Sequence, residues 1–140
     1  VVPFVSLDEL LPADAPPIDL WHLDVEGAEL VAIRSARRLL SAGRVRRVMM
    51  EVDSMQRWRL NLSTKLTIDQ TLAEVRSIFD GWKCVRACDG APYAFPTHFR
   101  WGQHAQCPNV YCVAPGVDED ASTSERRYST QTRSTTSNHL

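Results

Sequence analysis

The spacing of apolar residues in the first half of the chain predicts a strand, a helix and a second strand. Residues 18–23 form a short, mostly apolar run after two prolines, which is typical of a strand. Residues 28–42 have apolar positions at helical spacing, and Gly43 follows where a glycine often ends a helix. Residues 45–52 have a continuous apolar centre, which indicates a strand covered on both faces.

The second half of the chain predicts another helix and two further strands. Thr67 and Gln70 have the spacing of a capping box, which starts a helix. One face of that helix is apolar, with Ile68, Leu72, Val75 and Phe79. Strands are predicted at residues 82–87 and 109–114, whereas residues 93–107 show no clear period. Strands that alternate with helices predict an α/β domain, with helices packed on a mainly parallel sheet.

The chain divides into a predicted domain and a predicted tail. Residues 115–140 contain ten serines and threonines among 26 residues and very few large apolar side chains. Such a segment buries too little surface to offset the entropy lost on ordering, so we expect it to be disordered. The predicted folded domain is therefore residues 1–114.

Composition narrows the class of protein. With 44% hydrophobic and 24% charged residues, the 140-residue chain is typical of one soluble domain. The net charge of −1 argues against a nucleic-acid or anionic-membrane surface. No apolar run approaches the roughly 18–20 residues that a bilayer-spanning helix needs. Four cysteines are too few for a disulfide scaffold, and their number leaves the redox compartment open. We expect a soluble, cytoplasmic protein.

Acidic residues follow the first two predicted strands. Asp24 and Glu26 come directly after the first strand, and Glu51 and Asp53 end the second. Since ligands in open α/β sheets bind beyond the carboxyl ends of the strands, this edge is the predicted functional site. Glu26 has a second interpretation, because a carboxylate near the start of the following helix also stabilises that helix.

Residues 18–30 resemble the signature of an enzyme family. They read IDLWHLDVEGAEL, which is similar to the motif IDLLKIDVEGAEL of the FkbM-type S-adenosylmethionine-dependent methyltransferases. Two flanking segments resemble that family as well, VSLDELL at residues 5–11 and VMMEV at residues 48–52. His22 is a departure, because the family commonly has lysine at this position of the motif.

The resemblance implies a fold, a reaction and a set of site residues. The fold is a Rossmann-like methyltransferase sheet, of which this chain would hold strands 4, 5, 6 and 7 in the order 4-5-7-6, with strand 7 antiparallel. The reaction is O-methyl transfer from S-adenosylmethionine to a hydroxyl of a small molecule or sugar. Asp24 and Glu51 are the implied catalytic residues, with Asp24 nearest the sulfonium, where it accepts the hydroxyl proton or binds a metal that activates the hydroxyl. Asp24, Glu26, Gly27 and His22 are the implied cofactor-binding residues.

One element of such enzymes has no counterpart in the sequence. They hold the methionine moiety of the cofactor with a glycine-rich turn, and this chain contains no G-x-G. We therefore expect the carboxyl half of a methyltransferase domain, with poor cofactor affinity and no activity as an isolated chain. The strand at residues 18–23 would then be an exposed apolar edge, which favours self-association.

Two alternatives remain open. The first is a catalytically inactive remnant of a methyltransferase that acts as an interaction module. The second is a structural zinc site, for which the candidate ligands are Cys84, Cys88, His98, His104, Cys107 and Cys112. For Cys84 and Cys112, which fall inside predicted strands, buried free thiols are the simpler expectation.

Overall fold

The computed structural model describes residues 5–52, 66–95 and 107–118. Its elements, in chain order, are α1 (Leu7–Leu10), β1 (Trp21–Leu23), α2 (Glu29–Ser35), α3 (Arg37–Ser41), β2 (Arg47–Glu51), α4 (Ile68–Ile78), β3 (Lys83–Arg86) and β4 (Asn109–Val113). Predictions for Asp53, His98, His104 and the tail from residue 119 onward lie outside the described residues. Within the described part of the chain, no helix is long and apolar enough to cross a membrane.

The four strands form one mixed sheet in the order β1-β2-β4-β3. β1 and β2 are parallel, and β4 is antiparallel to both of its neighbours. The prediction of an α/β domain is confirmed at this level. The prediction of a mainly parallel sheet from the alternating pattern is wrong, because two of the three strand pairings are antiparallel. The order of strands, with an antiparallel β4 in third place, is also the order that the family resemblance implied.

The strands are shorter than the sequence pattern predicted. β1 has three residues, and the predicted start of this strand makes only an isolated parallel bridge between Ile18 and Val45. Two backbone hydrogen bonds form that bridge, from the Ile18 amide to the Arg44 carbonyl and from the Arg46 amide to the Ile18 carbonyl. The intervening residues Asp19 and Leu20 are exposed, so the chain leaves and rejoins the edge of the sheet.

One face of the sheet carries the hydrophobic core. Because alternate residues of a strand lie on opposite faces, the pairing puts Leu23, Met50 and Val110 on the same face. These side chains belong to one buried cluster with residues of three helices: Leu30, Ile33, Leu39, Leu40, Leu72 and Val75. Burial of apolar surface therefore fixes the helices on this face. On the opposite face, Met49 and Tyr111 are only half-buried.

The helix predicted at residues 28–42 is broken at Ala36. The Asp8 carboxylate, on α1, accepts hydrogen bonds from the amides of Arg38 (2.7 Å) and Leu39 (3.1 Å) and so caps α3. The Ser6 hydroxyl donates to the Ser35 carbonyl (2.9 Å) at the end of α2. The prediction of one continuous helix was wrong because side chains from another part of the chain satisfy backbone groups at the break.

Two arginines of α2 and α3 are bound to neighbouring elements rather than only to solvent. Arg34 donates two hydrogen bonds to the Glu74 carboxylate on α4, at 2.7 Å and 2.5 Å. Arg38 donates from Nη2 to the carbonyls of Asp8 (2.6 Å) and Leu11 (3.1 Å). These arginines join the α2–α3 pair to α4 and α1, so their role is partly structural.

Candidate functional site

The carboxyl ends of β1 and β2 bring two of the predicted site residues to one edge of the sheet. Leu23, the last residue of β1, pairs with Met50, and Asp24 and Glu51 are the next residues along the two parallel strands. Glu51 also pairs with Asn109 at the start of β4. We call this edge, defined by Asp24, Glu51 and the turn at residues 24–27, the acidic rim.

The side chains of the acidic rim differ in their exposure. His22 and Asp24 are exposed, whereas Glu51 is partly buried. The described residues make no hydrogen bond or ion pair with the Asp24 carboxylate, which leaves it available to a ligand. His22 pairs with Met49 and therefore lies on the same half-buried face as Glu51. A ligand at the rim would thus meet Asp24 first.

The turn that follows Asp24 has an unusual backbone. Glu26 has φ 52° and Gly27 has φ 95°, so two successive residues lie in the left-handed region. This conformation suits glycine but is uncommon for glutamate, and it needs support from neighbouring groups. Gly27 lies in the tight turn that joins β1 to α2, and its predicted contact with a cofactor stays a prediction.

A residue that the sequence analysis did not select provides that support. Oε1 of Glu29, the first residue of α2, accepts hydrogen bonds from the amides of Val25 (3.3 Å) and Gly27 (3.2 Å). Glu29, rather than Glu26, is the carboxylate in the first turn of α2. Glu29 therefore holds the turn through these two hydrogen bonds, and the helix-stabilising interpretation of Glu26 stays a prediction.

Glu29 is almost completely buried. Its relative exposure is 1%, and its Oε2 has no hydrogen-bond partner among the described residues. Charged side chains are rarely buried unless they are paired. The sequence signal that could have identified it is its position four residues before Ile33, on the face that α2 turns toward the core.

The described residues offer no metal site at the rim or elsewhere. Within residues 5–52, 66–95 and 107–118, no three histidine, cysteine or acidic side chains are grouped so as to bind a metal ion. The four cysteines form two disulfides, Cys84–Cys112 and Cys88–Cys107. The prediction of free thiols was wrong, since Cys84 and Cys112 are directly opposite each other on β3 and β4. As disulfides, these sulfur atoms are unavailable as zinc ligands.

A cleft with aromatic walls lies away from the rim, near the amino-terminal end of β3. Its volume is about 420 Å³, and it is lined by Arg76, Phe79, Asp80, Trp82, Cys84, Tyr93, Ala94 and Phe95. The rings contact one another, with Phe79 stacked on Phe95 at 5.5 Å between centroids. Burial raises the pKa of Tyr93 to about 12, so its hydroxyl stays protonated at neutral pH. The cleft is a second candidate site for binding a small molecule.

Comparison with protein-family models, with curated protein sequences and with solved structures found no match for this chain.

Proposed function

We propose that the acidic rim is the methyl-donor and acceptor edge of an S-adenosylmethionine-dependent O-methyltransferase domain. The observation that supports this most directly is the exposed Asp24 carboxylate, which follows β1 and adjoins Glu51 of the parallel β2. The strand order β1-β2-β4-β3, with β4 antiparallel, is compatible with the carboxyl half of such a sheet. The sequence motif around Asp24 provides independent support.

The chemistry of the rim suits a sulfonium donor. S-adenosylmethionine, when bound, supplies an electrophilic methyl group on a positively charged sulfur. The opposite charge of the Asp24 carboxylate attracts such a group to the edge of the sheet. The carboxylate also has free acceptor capacity to orient the acceptor hydroxyl and take its proton as the new C–O bond forms. The electron pair of the broken C–S bond stays on sulfur, which becomes a neutral thioether. The proton neutralises the Asp24 carboxylate, so atoms and charges balance.

The affinity of this chain for the donor should be weak. Methyl transfer needs the donor and acceptor held in line, and positioning of this kind supplies several kcal/mol in enzymes. The sequence contains no G-x-G turn to hold the methionine moiety. We therefore expect dissociation constants in the millimolar range for the 140-residue chain, with binding confined to the rim.

Titration followed by ¹H–¹⁵N NMR spectroscopy tests this function. S-adenosylmethionine should shift the amide resonances of Asp24, Val25 and Gly27. S-adenosylhomocysteine, which has a neutral thioether, should shift them less at the same concentration. The comparison separates attraction of the positive charge from contacts with the adenosine moiety.

A matched pair of variants controls this titration. Asp24→Asn keeps the size of the side chain and removes its charge, so the response of the rim to S-adenosylmethionine should be lost. Asp14→Asn removes another exposed carboxylate, from a loop elsewhere, and should change nothing. Shifts confined to the aromatic cleft, or equal responses of the wild type and Asp24→Asn, would contradict the proposal.

A specific observation favours a second candidate, an interaction module. Within residues 5–52, 66–95 and 107–118, the exposed large apolar residues all precede α2: Val5, Leu10, Leu20 and Val25. β1 is an edge strand that pairs with β2 on one side only within the described residues. Apolar side chains beside an unpaired strand edge are a common basis of association between chains. Self-association through residues 18–23 stays a proposal.

A further inference from the structure

The burial of Glu29 has a cost that the packing of α2 does not require. A carboxylate removed from water loses hydration, and here one oxygen of the pair has no partner among the described residues. An apolar residue at this position would extend the buried face formed by Leu30 and Ile33. The side chain therefore serves something other than the hydrophobic core.

Its two hydrogen bonds fix two particular peptide groups. The Val25 amide belongs to the peptide that joins Asp24 to Val25, and the Gly27 amide belongs to the peptide that joins Glu26 to Gly27. One oxygen atom thus sets the backbone torsion on the carboxyl side of Asp24 and that of Glu26. The left-handed φ of Glu26 lies between the two fixed peptides.

We propose that Glu29 is the positioning residue of the acidic rim. It holds the turn at residues 24–27 so that the Asp24 carboxylate keeps one direction at the end of β1. This inference rests on the proposed function for the use that it assigns to Asp24, but the geometry of the turn can be measured without any ligand. Glu29 itself is buried and touches no substrate, so its action on the reaction is indirect.

Three variants separate the reach of the Glu29 side chain from its charge. Glu29→Gln keeps an acceptor oxygen at the same distance and should preserve both turn hydrogen bonds. Glu29→Asp keeps the charge but is one methylene shorter, so it should lose them. Glu29→Ala removes the acceptor altogether. Glu9→Ala is the matched control, because Glu9 is an exposed glutamate on α1.

Amide hydrogen exchange measures the turn directly. In Glu29→Asp and Glu29→Ala, the Gly27 amide should exchange at least about tenfold faster, as expected when its hydrogen bond is lost. The amide of Leu39, which Asp8 holds, should keep its protection and show that the fold persists. Glu29→Gln and Glu9→Ala should behave like the wild type. If Glu29→Ala does not fold, Glu29→Asp against Glu29→Gln makes the same comparison.

The outcomes distinguish this inference from the proposed function. Unchanged Gly27 exchange in a folded Glu29→Asp, or failure of Glu29→Gln to preserve it, would overturn the positioning role. Loss of the S-adenosylmethionine response in Glu29→Asp, with its retention in Glu29→Gln, supports the role in the proposed reaction. If the wild type gives no response to S-adenosylmethionine, the methyltransferase proposal is refuted. If the variants then still show the expected exchange of the Gly27 amide, Glu29 is still supported as the residue that positions Asp24.

A different observation, the pairing of all four cysteines, carries a second inference. Cys84 and Cys112 are opposite each other in the β3–β4 ladder, with Cα atoms 4.1 Å apart. Cys88 and Cys107 lie just beyond the same two strands, with Cα atoms 5.9 Å apart. Both bonds therefore join β3 and its following turn to β4. We infer that the native protein is the oxidised form, in which these two bonds stabilise the pairing of β3 with β4.

Thiol counting and stability tests address this inference together. Protein prepared under oxidising conditions should have no thiol that reacts with a maleimide in denaturant, and four after reduction. Peptide mapping should recover only the two pairs named above, and the reduced protein should unfold at a lower urea concentration. A free thiol in the oxidised protein, a different pairing, or equal unfolding midpoints would overturn the inference.

Discussion

The ion pair between Arg34 and Glu74 makes a quantitative prediction about stability. Two hydrogen bonds join the side chains, and the exposed fractions are 31% for Arg34 and 18% for Glu74. Exposed ion pairs contribute about 0.2–1 kcal/mol, and two-point contacts between arginine and carboxylate are stronger. Because this pair is partly buried and links α2 to α4, we expect Glu74→Gln to lower the free energy of unfolding by about 1–2 kcal/mol.

The stability that this ion pair contributes should fall as the pH is lowered. The hydrogen bond from Arg34 lowers the pKa of Glu74 below its usual value of 4.5, more than burial raises it. A carboxyl group with a lowered folded-state pKa contributes stability above its unfolded pKa, and loses that contribution as the pH falls through the folded value. The difference between wild type and Glu74→Gln should therefore be full near pH 7 and shrink below about pH 4.

Urea denaturation of the wild type, Arg34→Met, Glu74→Gln and the double variant measures the coupling. Glu9→Gln is the control, and it should change stability by less than about 0.5 kcal/mol. A coupling energy below about 0.3 kcal/mol would refute the reasoning, since additive effects indicate independent residues. The same conclusion would follow if the effect of Glu74→Gln were equal near pH 7 and pH 3.

Three further predictions concern other contacts. Asp8→Ala removes the cap of α3 and should lower the free energy of unfolding by about 1–2 kcal/mol, measured by urea denaturation. The double variant Cys84→Ala, Cys112→Ala should lower the free energy of unfolding by about 2–3 kcal/mol under oxidising conditions. The Cys88–Cys107 disulfide lies inside the loop that Cys84–Cys112 closes, and it shortens that loop to roughly ten residues. An equally stable double variant would show that the Cys84–Cys112 bond is dispensable. Leu20→Lys places a charge beside β1 and should shift any self-association, followed by light scattering, toward monomer; an unchanged mass distribution would assign the association to another surface.

Local patterns in the sequence predicted the elements whose stabilising contacts are also local. The capping box of Thr67 and Gln70 forms as expected. The backbone amide of Gln70 donates to the Thr67 hydroxyl (3.2 Å), and the backbone amide of Thr67 donates to Oε1 of the Gln70 side chain (2.8 Å). The acidic ends of β1 and β2 meet at one edge because parallel strands end together. These features depend on residues a few positions apart or on a general rule of sheet geometry.

The features that the sequence did not reveal depend on distant partners. The break at Ala36 is set by Asp8, about 30 residues earlier in the chain, which no helical periodicity reports. The pairing of Cys84 with Cys112 follows from the register of two strands separated by residues 93–107, for which no period was found. Nothing in the sequence distinguishes Glu29, because an acidic residue in the first turn of a helix is ordinary by itself. Its role is visible only from its burial and its two bonds to the turn.

We propose that the Asp24 end of β1 receives the methyl-bearing sulfur of S-adenosylmethionine. Isotope-filtered NOE measurement with donor labelled by ¹³C at the S-methyl group tests this most directly, at the high ligand concentrations that weak binding requires. We predict cross-peaks from the labelled methyl to protons of Asp24 and its neighbours in the turn. Cross-peaks to the rings of Phe79 or Trp82, with none at the rim, would contradict it.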